Sequence, residues 1–113
     1  MVLQILKVVA AVGTIATGIY AIVRPSAAQQ FTGLFYTSGR GVTEIRSVLG
    51  GLFVALGVVP VVMNQPAMYL MLGIAYLAIA AVRLVSMFVD KSVVQSNVIS
   101  LAVEIVFGVI LVL

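Results

Sequence analysis

Charged residues are so sparse in this chain that it reads as four long apolar runs separated by three polar interruptions. The interruptions are Arg24-Pro25 with the loop as far as Gly41, then Asn64-Gln65, then Asp90-Lys91-Ser92. Each run is close to the roughly 20 apolar residues a helix needs to cross a hydrocarbon core about 30 Å thick. With 64% of residues hydrophobic and 8% charged, the chain cannot coat a water-exposed surface. A transmembrane β-barrel is excluded, because its strands alternate apolar and polar residues in segments of about ten, whereas these runs are continuous. The expected fold is therefore all-α: a polytopic membrane protein of one domain, residues 1–113, forming a four-helix transmembrane bundle. Its spans are expected at about 2–23, 42–63, 66–89 and 93–113.

Span one is expected to be retained. Ser26-Ala27-Ala28 resembles a cleavage site, but the only early charge is Lys7 and the apolar run exceeds the usual signal-peptide core. Between spans one and two, Pro25 suits the first position of a helix. Phe31, Leu34 and Phe35 then recur at i, i+3 and i+4, predicting a short interfacial helix that Gly39 and Gly41 would end. Asn64-Gln65 is a tight turn and Pro66 opens span three, so spans two and three are expected to be antiparallel neighbours. Ser92 is the expected N-cap of span four. Arg24, Arg40 and Lys91 fall on one side of the membrane, with Arg46 close by, and Lys7 falls on the other. The positive-inside rule then puts both termini on the non-cytoplasmic side.

The informative residues are the charges inside the runs. Arg46, Arg83 and Glu104 lie well within spans, and Glu44 lies near the start of span two. An ionised side chain at a helix centre costs about 2.5–3.5 kcal/mol on insertion scales, so such residues are expected to face the interior and pair. Counting at 1.5 Å per residue puts Glu104 near the midplane and both arginines in the same half of the membrane. Glu104 is therefore expected to accept hydrogen bonds from Arg46 or Arg83. Glu44 and Arg46, two residues apart, do not face each other on a helix, so each is expected to look to a different neighbouring helix. On span three, Tyr69, Gly73, Tyr76, Ala80 and Arg83 form one stripe, and on span four so do Asn97, Ser100, Glu104 and Gly108. Span one contributes Ala10, Thr14, Thr17 and Ala21, and Gly50, Gly51 and Gly57 are the expected packing glycines of span two.

The absences narrow the function. The chain has no cysteine and no histidine, so the usual ligands for haem, zinc and iron–sulfur clusters are missing, and no metal site or cofactor is expected. Its three acidic residues offer little for acid–base or nucleophilic chemistry, and no enzyme activity is expected. The net charge of +3 is too small and too scattered for nucleic acid. The expected partners are membrane lipids and other membrane subunits, or further copies of this chain. A carotenoid or quinone would need no histidine ligand and stays open.

Thr43-Glu44-Ile45-Arg46, followed by Gly50-Gly51 and Gly57, resembles the signature of a family of small bacterial four-helix membrane proteins catalogued as a domain of unknown function. In that family a Glu-Ile-Arg motif leads into a Gly-Gly pair at the start of the second helix. An arginine late in the third helix and a glutamate in the fourth are similar to Arg83 and Glu104. Leu49 departs from the pattern, which has an aromatic residue before the glycine pair. The resemblance implies a bacterial inner-membrane location and the same fold, and it carries no activity. Two functions are consistent with these features. One is a structural or accessory subunit in a larger membrane complex or homo-oligomer. The other is a small proton- or cation-coupled transporter or channel using Glu104 with Arg46 and Arg83. Two nearby arginines favour the first, since a paired carboxylate is poorly placed to exchange protons.

Overall fold

The computed structural model describes all residues from Met1 to Leu113 and contains helices and short connections, with no strand. The helices are α1 (Val2–Val23), α2 (Pro25–Thr32), α3 (Gly39–Met63), α4 (Pro66–Val89) and α5 (Gln95–Val112). All but α2 are long and apolar enough to cross a membrane. The chain divides into two compact units, one of residues Ala11–Asn64 and one of Met1–Ala10 with Gln65–Leu113.

Within Ala11–Asn64, α1 and α3 run antiparallel at very close approach. A Cβ added to Gly57 would lie 2.5 Å from the Ala11 carbonyl oxygen, and one added to Gly18 would lie 2.6 Å from that of Gly50. A Cβ on Gly50 would collide with Ile22 Cγ1. Ala11, Ile15, Gly18 and Ile22 thus meet Gly57, Val54 and Gly50 in reverse order along the two helices. Lipid tails are as apolar as the side chains, so helices in a bilayer associate through van der Waals contact rather than a hydrophobic drive, and small residues make that contact possible. Thr17, expected on the packing stripe of α1, is instead exposed and donates its hydroxyl to its own helix at the Gly13 carbonyl, 2.9 Å away. Gly18 takes its place. Gly51, expected to pack, is also exposed, and its nearest neighbour to an added Cβ is the Arg46 carbonyl at 4.0 Å.

The cause lies in α3 itself. Residues Ile45–Gly51 form a π-helical segment between the α-helical stretches Gly39–Glu44 and Leu52–Met63. Its wider turns shift the facing of residues relative to a uniform α-helix. Ile45 turns inward with Ala21 and Ala28, where Tyr36 and Leu49 pack against them. Pro60 sits inside the helix near its end, and Asn64 closes it in a left-handed conformation, φ 49°, with its N–H on the Pro60 carbonyl.

The short helix α2 begins on Pro25 as expected but ends at Thr32, earlier than the spacing of Phe31, Leu34 and Phe35 predicts. Gly33 ends it in the left-handed conformation, φ 77°, donating its N–H to the Gln29 carbonyl. The backbone then folds back: Tyr36 N–H donates to Gln29 Oε1 at 2.9 Å and Leu34 N–H to Thr32 Oγ1 at 3.2 Å. Gly39 and Gly41 do not end α2; they lie in the first turn of α3, which therefore starts earlier than the expected Val42.

The other unit is a hairpin of α4 and α5 with the first residues of α1. Its turn is a Schellman arrangement. Asp90 N–H reaches the Ser86 carbonyl, Lys91 adopts φ 52°, and Ser92 N–H donates to the Met87 carbonyl at 2.9 Å. These bonds satisfy carbonyls that the end of α4 would otherwise leave open. Ser92 is committed to this turn, so it does not cap α5, which starts later than expected with Val94 as its uncapped N-cap residue. Far from the turn, the helices touch at glycines: an added Cβ on Gly73 would meet Leu111 Cβ at 2.8 Å, and one on Gly108 would meet Leu77 Cδ2 at 2.6 Å. Between these points Tyr76 and Phe107 stack edge to face, with ring centroids 5.6 Å apart.

The contrast between two glycines of α3 is testable. Gly57→Ala forces a methyl against backbone and should cost about 1–3 kcal/mol, the usual range for overpacking. Gly51→Ala should leave stability unchanged or raised, since it replaces glycine by a better helix former in open space. Melting of the two variants in one detergent would distinguish them, and equal melting points would contradict the close α1–α3 contact.

Candidate functional site

The α4–α5 hairpin holds the most polar interior of the chain. The stripe Tyr69, Gly73, Tyr76 and Ala80 on α4 is buried, and it leads to Arg83. On α5, Glu104 and Gly108 are buried on the facing side. The tight turn makes these helices antiparallel, so a residue late in α4 meets one early or midway in α5. Long side chains on a helix lean towards its N-terminus. Arg83 therefore points away from the turn and Glu104 towards it, and they meet.

Their geometry is bidentate. Arg83 Nε donates to Glu104 Oε1 at 2.8 Å and Oε2 at 3.0 Å, and Nη2 donates to Oε2 at 2.7 Å. Nη1 donates to Asn97 Oδ1 at 2.9 Å, and Asn97 Nδ2 donates to the Ser92 carbonyl at 2.9 Å. The guanidinium is thus held between two residues of α5, and its bracing amide is tied to the hairpin turn. The planar fork of arginine matches a carboxylate as lysine's single ammonium does not. The Glu104 side chain is 9% exposed and that of Arg83 is 30% exposed. No buried side-chain nitrogen or oxygen lacks a partner.

The other two interior charges go elsewhere. Arg46 Nε donates to the Ile22 carbonyl at 3.0 Å. That oxygen is one of the last four carbonyls of α1, which have no partner within the helix, and a cation there also opposes the negative end of the helix dipole. Glu44, expected to turn to a neighbouring helix, pairs within its own: Arg40 Nη1 lies 3.0 Å from Glu44 Oε2, both exposed. This i, i+4 pair exists because α3 begins at Gly39, one turn before Glu44. Exposed pairs of this kind contribute about 0.3–0.5 kcal/mol. Glu44, Arg46, Arg83 and Glu104 thus divide into the Arg83–Glu104 pair, the helix-end contact of Arg46 and the local surface pair of Glu44 with Arg40. Asn97 shares the α5 stripe with Glu104 in sequence, and its bracing role becomes visible only with the hairpin in place. No group of three or more His, Cys, Asp or Glu residues is positioned to hold a metal ion.

Beside the pair is an open pocket of about 510 Å³, within the range of small-molecule sites, about 300–1,000 Å³. Arg83, Ser86 and Asn97 line one part of it, and Ala78, Ile79 and Val82 another.

Removing one member of a buried pair strands the other charge and typically costs about 3–5 kcal/mol. With Arg83 partly exposed, Glu104→Gln and Arg83→Gln should each fall at the lower end of that range. The double variant should be less destabilised than the sum of the singles, as contacting residues couple. Unfolding in mixed micelles measures all three, and strict additivity would show that the contact carries no energy. Arg46→Gln, which loses one bond to a carbonyl at an exposed site, should cost less than either.

No curated protein and no solved structure matches the chain. A model of the family described as "Domain of unknown function (DUF4345)" matches residues 2–113. The chain, with its four membrane-capable helices and the arginine–glutamate pair within their last hairpin, belongs to that family.

Proposed function

We propose that this protein is a non-enzymatic structural or accessory subunit of a membrane assembly, packing against other membrane subunits or further copies of itself. The observation that carries this reading is the state of Glu104. A carboxylate serving a passing proton or cation has to present a free oxygen to a water-filled path. Here both oxygens are engaged by Arg83, and Arg83 is in turn engaged by Asn97. Intramembrane charges used in this way determine which helices meet and in what register. The basic residues Arg24, Arg40 and Lys91 at two of the connections support an orientation with those connections in the cytoplasm and the termini outside. The family resemblance makes the bacterial inner membrane the expected location.

Gentle extraction from the native membrane, followed by native mass measurement and identification of co-migrating chains, tests the proposal. The expected result is a reproducible particle well above the mass of one 11.9 kDa chain, containing either partner subunits or several copies. A lone monomer would overturn it and bring the transporter reading forward, with Glu104→Gln in a proton-flux assay as the next measurement.

A further inference from the structure

A guanidinium carries five N–H donors. At Arg83 the Nε donor and one on Nη2 are used by Glu104, and one on Nη1 is used by Asn97. Two N–H groups remain, one on each terminal nitrogen, on a side chain that is 30% exposed and lines the pocket. In a bilayer a polar group without a partner is costly, because no water is there to satisfy it. The pocket therefore offers hydrogen-bond donors to whatever occupies it.

Three features limit the occupant. The first is charge: Glu104 neutralises Arg83, so the site favours a neutral acceptor over an anion, which the nearby carboxylate would repel. The second is depth. Helix α5 has 18 residues and is about 27 Å long, close to the hydrocarbon thickness of about 30 Å. Asn97, near its start, then lies just inside the hydrocarbon edge, and the guanidinium edge bound to it lies at the same level. The third is polarity along the pocket. Ser86, Arg83 and Asn97 stand at the end nearest the hairpin turn and hence the membrane surface. Val82, Ile79 and Ala78 continue towards the midplane, with Val82 70% and Ile79 37% exposed. A carbonyl at the hydrocarbon edge with an alkyl chain running inward is the acyl-ester region of a glycerolipid.

We propose that this pocket binds one acyl chain of a membrane glycerolipid, its ester carbonyl accepting from the two remaining N–H groups of Arg83 and its hydrocarbon lying along Val82, Ile79 and Ala78. The lipid completes the polar chain that runs from Ser92 through Asn97 and Arg83 to Glu104. It is read on the isolated protein, so its failure is separate from any failure of the subunit proposal.

The full chain is purified, stripped of lipid by detergent washing, and titrated with diacyl phosphatidylcholine or with the dialkyl ether lipid of the same chain length, bound lipid being counted by native mass spectrometry. The ether lipid keeps the headgroup and chains but has no carbonyl. The expected result is one tightly held diacyl lipid per chain and several-fold weaker retention of the ether lipid. Ala78→Phe, which fills the apolar end without touching the ion pair, should abolish retention of the diacyl lipid while melting as the parent does. Equal retention of the two lipids would overturn the proposal, as would unchanged retention by a folded Ala78→Phe protein. Displacement of the diacyl lipid by an equimolar isoprenoid quinone would also overturn it, in favour of a different lipophile.

Discussion

A charged group in hydrocarbon has few ways to exist, and the α4–α5 hairpin is organised around one of them. Arg83 and Glu104 cancel each other through a bidentate contact, with the carboxylate at Nε and Nη2. In water such a pair would compete with hydration on both sides and contribute little. Within a bilayer the alternative is an unsatisfied ion, so the contact specifies register as well as adding energy. Sliding α5 by one turn, about 5.4 Å, would separate the groups completely. Asn97 then links the pair to the Ser92 carbonyl and so to the turn. The polar groups therefore control the surface end of the hairpin, while Gly73 and Gly108 control the far end by close backbone approach.

The Ala11–Asn64 unit solves the same problem by other means. Its α1–α3 contact has no ion pair across it and relies on Gly18, Gly50 and Gly57, where an added side chain would collide with the facing helix. Dispersion grows steeply as backbones close, which is why small residues concentrate at helix contacts in lipid. Arg46 joins α3 to α1 at one end, through a backbone carbonyl rather than a carboxylate. The two units thus divide the available chemistry, one using charge with shape and the other mostly shape.

The four long helices were legible because hydropathy and length alone decide them. The meeting of Arg83 with Glu104 was half legible: depth counting put Glu104 within reach of two arginines, and only the hairpin chooses Arg83. Other features were hidden for specific reasons. A fixed period of 3.6 residues cannot anticipate the π-helical segment Ile45–Gly51, and Gly51, expected on a packed face, is exposed. The spacing of Phe31, Leu34 and Phe35 by itself implies a continuing apolar face, but the left-handed turn at Gly33 takes precedence and ends α2. A helix starting at Val42 would leave Arg40 outside it, and the Arg40–Glu44 pair forms only because α3 starts at Gly39. Thr17 and Gly18 are adjacent, and a hydroxyl that can bond its own helix has no need of a partner helix.

The charges within the spans are nearly all spent on construction. Glu104 is closed by Arg83, Glu44 by Arg40, and Arg46 by the end of α1. A conducting pathway needs polar groups that bind and release, and each of these would have to break a bond within the protein first. On Arg83 the donors still open are on its outer edge, beside the exposed side chains of Val82 and Ile79 rather than within a closed interior. The open face of this site is therefore its outer one.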